Sequence, residues 1–559
     1  MSDEINQQRD QILNAKQQGP IATLMAYTKL SGPGWLQSAI TLGGGSLAGS
    51  LYLGIIGGYE MMWLQPLMMI FGVVMLSAIA HVVLSTGEKP FQALNDHVNP
   101  VLGWGWIIAT LMANMVWAMP QFSLGTAALR QNLGVFTFSG GEYVCALVMA
   151  LFCAYVVWLY GASARGYQIF DIALKLMVAV VVLSFFAVVW ILTGSETGLP
   201  WGEILAGFVP NPGLLMEPAS SLAGYVKDSS APEYWHEVVV SAQRDRMVAA
   251  AATAVGINMT FLLPYSMMKR GWDKDFRGLA KFDLSTGLFV PFLLATSCVV
   301  IAAASQFHGK PEPGLLTVHS DADSKIPAKL KAAYEGNLAK MLTATKREAE
   351  AATMAALPEG DRVLAATLIK RDAFALANSL QSLAGSGNSQ IIFGIGVVGM
   401  AVSSIIILML INGFAVCEML GKPSTGGLYT IGCFIPAITG ALGALFLWSG
   451  KAQFYLAVPT SRFGMVLLPI AYIAFFCLMN NRRLLGDNKP TAMAAVWWNG
   501  LMGIGVLLSL VGAAISIFND STKLPGTEIL VRNIALGLLG ALVLAAVVIH
   551  LFRRQPPPR

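Results

Sequence analysis

Apolar stretches of about 20 residues, separated by short polar or Gly/Pro-containing connections, recur from one end of the chain to the other. At 1.5 Å per residue such a stretch, wound as a helix, crosses a hydrocarbon core of roughly 30 Å. The pattern predicts twelve spans, at about 32–57, 59–86, 104–131, 142–161, 168–194, 246–268, 279–304, 389–417, 426–449, 461–480, 492–517 and 530–552. This divides the chain into a polar N-terminal tail (1–31), spans one to seven (32–304), a charged insert (305–388), spans eight to twelve (389–552) and a short tail (553–559). The N-terminal tail has no apolar core beside a small-residue cleavage site, so the first span is expected to act as its own insertion signal. A Gly-, Pro- and Trp-rich connection, about 195–245, joins spans five and six. In the insert, Ala, Lys, Glu and Leu dominate from Ile326 to Ala356 and from Asp361 to Ala384, which reads as two amphipathic helices around a Pro358-Glu359-Gly360 turn. A solvated cap on the bundle is the plain reading of this hairpin, and a surface for a protein partner the other.

Two spans carry residues that do not suit a continuous helix. Span one contains Thr41-Leu42-Gly43-Gly44-Gly45-Ser46, and three successive glycines remove the conformational preference that keeps a helix wound. Span six contains Gly256 and Asn258 ahead of Thr260-Phe261-Leu262-Leu263-Pro264-Tyr265-Ser266, where proline deletes one backbone donor. Peptide groups freed at bilayer depth must face a protein-lined cavity, because lipid offers them no partner. Interrupted helices five spans apart point to two inverted five-helix repeats with a solute site at the midplane, plus about two peripheral helices. Gly43, Gly44, Gly45, Ser46, Asn258 and Thr260 are the candidate substrate-binding positions.

Composition agrees with this all-α membrane architecture: of 559 residues, 55% are hydrophobic and 12% charged, against roughly 25% charged in soluble domains. Mean hydropathy is +0.62. All six cysteines lie in apolar stretches and read as small buried hydrophobes. Arg165, Lys269, Arg270, Lys274, Arg277, Lys281, Lys422, Arg482, Arg483, Arg553 and Arg554 fall on one side of the predicted topology. The positive-inside rule makes that side, with both termini, cytoplasmic in a cell (inner or plasma) membrane. The net charge of +5 is too small to argue for nucleic acid. His236-Glu237 opens like a zinc-protease motif, but Val240 stands where the second histidine belongs, and no Walker A run is present. No acid–base cluster, and hence no enzyme and no cofactor, is read from the chain.

Gly32-Pro33-Gly34-Trp35-Leu36, Gly57-Gly58-Tyr59, Trp106-Ile107-Ile108-Ala109, Leu124-Gly125-Thr126-Ala127, Phe282-Asp283-Leu284-Ser285-Thr286 and Ser403-Ser404 together resemble the NRAMP divalent-metal transporters over spans one to eight. The resemblance implies the LeuT-like fold of ten core helices. It also implies a metal site made by an Asp-Pro-Gly-Asn motif in the first broken helix, where this chain has Gly43-Gly44-Gly45-Ser46. From the sixth helix it implies a carbonyl and a methionine thioether before a Pro-His pair. Anchored on Pro264, these fall on Thr260, Leu263 and Tyr265, and the acidic residue after Trp-x-x-Ala in span three is Thr110. With carboxylates and thioether replaced, tight binding of a transition metal at this place is not expected, nor is proton coupling through span three.

The expectation is thus a secondary carrier with an altered site. A cation is favoured by the family, Mg²⁺ most readily, since it keeps several waters. A carrier of a small carboxylate or amino-acid-like solute held at helix ends is the second reading. A non-transporting receptor or assembly factor using the insert is the third. Asn114, Trp117 and Gln121 share one face of span three and are expected to line the pathway, while Ser403 and Ser404 could hold a co-transported ion against carbonyls of span one.

Overall fold

The structure, a computed structural model, describes residues 2–162, 164–195, 198–311, 314–317, 326, 328–369, 388–446, 457–519 and 530–552. Among the described residues, eleven helices are long and apolar enough to cross a membrane, twelve when the bent pair Pro33–Thr41 and Gly44–Met61 counts as one span. The later spans are Leu64–Thr86 (two), Pro100–Ala127 (three), Gly141–Ala162 (four), Ala164–Thr193 (five) and Pro232–Ala252 with Ile257–Lys269 (six). Span seven runs from Arg277 to Phe307 through a π-turn at Leu284–Phe289. Spans eight to twelve are Asn388–Met419, Gly426–Phe446, Ala457–Asn480, Ala492–Phe518 and Val531–Phe552.

Local chemistry sets the ends of these helices. Pro33, Pro100 and Pro232 each open a helix, where a missing N–H costs nothing. Asn99 caps span three, its side chain accepting from Val101 N at 2.9 Å. Gly87 closes span two at φ +70°, donating to Val83 O at 2.8 Å. Burial orders the spans: the most apolar window of span six is buried throughout, and that of span twelve not at all. Span six is the axle of the bundle and span twelve a peripheral, lipid-facing helix.

Two features depart from the expected plan. Span six begins at Pro232, fourteen residues before the expected 246, and its interruption lies at Thr253–Gly256. Pro264 sits inside the continuous helix Ile257–Lys269. The insert is also more than a solvated hairpin. Its first helix ends early, at Ala344, and is followed by Ala351–Ala355 and Glu359–Thr367. The buried Asp361 accepts from Trp235 Nε1 at 2.7 Å and from Ser230 N at 2.9 Å, and Arg347 donates to Ser230 Oγ at 2.9 Å. These bonds dock the insert onto the start of span six. The remainder of the expected second helix, 370–384, and the tail 553–559 lie outside the described residues.

Candidate substrate site

Span one stops at Thr41 because Leu42 leaves the helical region and Gly43 is extended, at φ −115° and ψ −177°. Gly44 starts a second helix whose axis is bent by 57° from the first. Two bonds replace those lost at the break: Gly44 N donates to Gln121 Oε1 at 2.8 Å, and Ser46 Oγ donates to Thr41 O. The first ties the break to span three. A Cβ at Gly43 would crowd Ser404 Oγ and come within 3.1 Å of Ile40 O, so a side chain there would push the Ser404 hydroxyl from its place.

Span six unwinds opposite this point. Thr253 Oγ1 donates to Ala250 O at 2.6 Å, Gln65 Nε2 donates to Thr253 Oγ1 at 3.4 Å, and Gln65 Oε1 accepts from Ser50 Oγ on span one at 2.8 Å. The helix restarts at Ile257, and its first turn bonds to span one: Gln37 Nε2 donates to Met259 O at 3.2 Å, and Thr41 Oγ1 donates to Met259 Sδ at 3.1 Å. Two half-helix C-termini and two N-termini therefore meet at one place, where exposed carbonyls and N–H groups carry partial charges of both signs.

Between them is a cavity of about 30 Å³, lined by Ile40, Thr41, Gly43, Gly45, Ser46, Trp117, Pro120, Gln121, Thr253, Met259, Thr460 and Ser461. That is room for one or two waters, far below the roughly 300–1,000 Å³ of pockets for organic ligands. The described residues lining it include no Asp, Glu, Lys, Arg or His. Among the described residues, no three His, Cys, Asp or Glu side chains gather anywhere as a metal site would need.

Of the residues singled out from sequence, Gly43, Gly45, Ser46, Trp117 and Gln121 line the cavity, and Gly44 is one bond behind it. Asn258 is buried beside the break, its Oδ1 accepting from Met259 N at 2.9 Å and its Nδ2 without a partner. Thr260 turns away, accepting from Trp106 Nε1 at 2.9 Å. Leu263 packs in the core, and Tyr265 stacks on Phe261 with ring centroids 4.4 Å apart. Asn114 faces span eight, 3.5 Å from Asn412 Oδ1. Ser403 Oγ donates to Ala39 O at 2.9 Å and Ser404 Oγ lies 3.3 Å from Ile40 O, so both hydroxyls bind carbonyls of span one.

Sequence reading missed Met259, Thr253, Thr460 and Ser461. For Met259 a signal exists: it stands three residues after Gly256, at the interruption itself, whereas the anchor on Pro264 moved the expected thioether to Leu263. Thr460 and Ser461 come from span ten, where Trp117 Nε1 donates to Thr460 O at 3.1 Å, and nothing local marks them.

Paired helix breaks around a small buried cavity, in a bundle of this many spans, are the arrangement of an all-helical membrane transporter. Residues 34–324 and 353–519 match the family model for natural resistance-associated macrophage protein-like (Nramp) proteins. The chain belongs to the NRAMP family. Its fold is similar to solved structures of the Eremococcus coleocola manganese transporter: a mutant form aligns with a TM-score of 0.63 at 13% identity, covering 94% of each chain. A complex of that transporter with an aromatic bis-isothiourea substituted compound aligns with a TM-score of 0.60 at 15% identity, again over 94% of each chain. No curated protein matches the sequence significantly.

Proposed function

We propose that this chain carries a metal cation through the cavity between the breaks of spans one and six, with neutral donors in place of carboxylates. The observation that carries the reading is the cavity itself: about 30 Å³, buried, and lined by the Gln121 amide, the Thr41, Ser46, Thr253, Thr460 and Ser461 hydroxyls and the Met259 thioether. Family membership and the manganese transporters of similar fold support a metal ion as the cargo. The size supports an ion with at most one water over an amino-acid-like solute.

Two physical arguments refine the cargo. Without a formal negative charge, the site offsets little of a dication's dehydration, so binding is weak. The thioether favours a softer transition ion such as Mn²⁺ over Mg²⁺, and a Mg²⁺ ion retaining several waters overfills the space. The basic face bearing Lys269, Arg270, Lys274 and Arg277 supports a cytoplasmic placement of that side and of the N-terminus.

The test is flux into vesicles containing the purified chain, with Mn²⁺, Mg²⁺ and a neutral amino acid supplied in turn. Mn²⁺ flux is expected, falling about tenfold in Met259→Ala while Mg²⁺ flux changes little, the equivalent of roughly 1.4 kcal/mol of selective binding. Amino-acid flux with no cation flux would overturn the proposal.

A further inference from the structure

We propose that the helix preceding span one is an anchor lying in the membrane interface, with phospholipid as its partner. The helix is Pro20–Leu30, and its two long faces differ. Ala26 and Tyr27 are buried, with Thr23 and Leu30 half-buried beside them. This face docks on the start of span seven, where the Tyr27 and Phe282 ring centroids are 5.6 Å apart and a Cβ on Gly278 would meet the Tyr27 hydroxyl at 2.4 Å. On the other face Ile21, Leu24 and Met25 are 76%, 54% and 68% exposed, and Thr28 continues the stripe at helical spacing.

Bare Ile, Leu and Met side chains in a row, on a helix too short to span, need an apolar cover. The neighbouring surface identifies it. Two residues after the helix begins the inner half of span one, and Ser31 O accepts from Lys175 Nζ of span five at 3.2 Å. Lys175 is flanked on span five by Ile172 and Leu176, 65% and 63% exposed, on the belt that faces lipid. The helix thus leads, through Ser31, to the side of span five on which Ile172 and Leu176 are exposed.

Charge fits the same partner. Lys16 and Lys29 are exposed on the N-terminal helices, and Lys274, Arg277 and Lys281 crowd the adjoining start of span seven. Such a rim complements anionic headgroups. Arg9 pins the first helix, Ser2–Gln18, from the other side through Asp273 at 2.5 Å and Asp275 at 3.3 Å. The anchor is therefore fixed to the start of span seven on one face and to lipid on the other, and its last residue is three positions from the inner half of span one.

The full-length chain, with Cys477→Ser removing the partly exposed native thiol, is labelled with a fluorophore at Leu24→Cys, Thr28→Cys or the control Gln17→Cys. It is reconstituted in phosphatidylcholine vesicles with and without phosphatidylglycerol. Brominated acyl chains are expected to quench the Leu24 and Thr28 probes at least about threefold more than the Gln17 probe, and aqueous iodide the reverse, with the contrast sharper when phosphatidylglycerol is present. Equal iodide quenching at all three sites would overturn the proposal. So would protection that disappears as protein is diluted in lipid, which would assign the stripe to a second copy. Neither readout requires transport, so failure of the cation reading leaves this test intact.

Discussion

Gln121→Glu should convert the neutral cavity into a tighter cation site. Gln121 lines the cavity and is 6% exposed, with Oε1 2.8 Å from Gly44 N. A glutamate there retains an acceptor for that N–H and adds one negative charge facing the cargo. At about 4 Å and an effective dielectric near 20, two unit charges attract by roughly 4 kcal/mol, and a dication by about twice that. Desolvating the carboxylate takes back most of the gain. A net of about 1.4–2.8 kcal/mol is expected for a well-placed pair, a 10- to 100-fold lower Kd. Titration calorimetry with Mn²⁺ on the purified protein measures it. Gln121→Leu is the matched control: it leaves Gly44 N without its acceptor, costing about 1–3 kcal/mol, and should lower flux without tightening binding. Unchanged or weaker Mn²⁺ affinity in Gln121→Glu, with the variant folded, would refute the placement of the cation beside Gln121.

Two further perturbations probe the frame around the site. Gly34→Ala places a Cβ 2.2 Å from Asp283 O and 2.7 Å from Asp283 C, backbone atoms that cannot swing away. It also strains the bonds by which the buried Asp283 carboxylate holds Gly32 N at 3.1 Å and Gly34 N at 2.6 Å, so a loss of about 1–3 kcal/mol is expected in a detergent melt. At the opposite end, His308 Nδ1 lies 2.9 Å from Ile55 O and Nε2 contacts Ser221 Oγ. The carbonyl can only accept, so Nδ1 carries the proton and Nε2 accepts from Ser221. Burial lowers the His308 pKa from 6.5, and the unfolded chain therefore takes up the proton first. The stability this neutral imidazole contributes is complete above about pH 6.5 and is lost as pH falls below it. A melting temperature that declines from pH 7 to 5.5 as steeply in His308→Gln as in the parent would contradict this.

The triple glycine made the break in span one legible, because no other reading of Gly43-Gly44-Gly45 keeps a helix intact at that depth. The break in span six was legible in existence and not in position. Pro264 looked like the lesion, yet a helix absorbs one proline when its neighbours satisfy the freed groups, and the real interruption lies at Thr253–Gly256. The first half of span six was hidden for a different reason. Glu233, Glu237, Gln243, Arg244, Asp245 and Arg246 lower its hydropathy below that of a span, but Glu233 and Glu237 are exposed and the protein supplies partners for Gln243, Asp245 and Arg246. Gln243 donates to Leu214 O and Glu217 O and accepts from Ala219 N, Arg246 lies over the Tyr52 ring at 5.2 Å, and Asp245 faces Arg462 at 3.6 Å. Hydropathy assumes that a polar residue wants water, and here Gln243, Asp245 and Arg246 find neighbours distant in sequence. Thr460 and Ser461 escaped for the same cause: what makes them part of the cavity is the approach of span ten to Trp117.

The docking of Asp361 onto Trp235 and Ser230 gives the outermost part of the molecule a mechanical grip on its innermost helix. A nanobody or crosslinker that seizes the insert would brake span six without entering the cavity, so transport could be throttled by a reagent that never leaves the aqueous side.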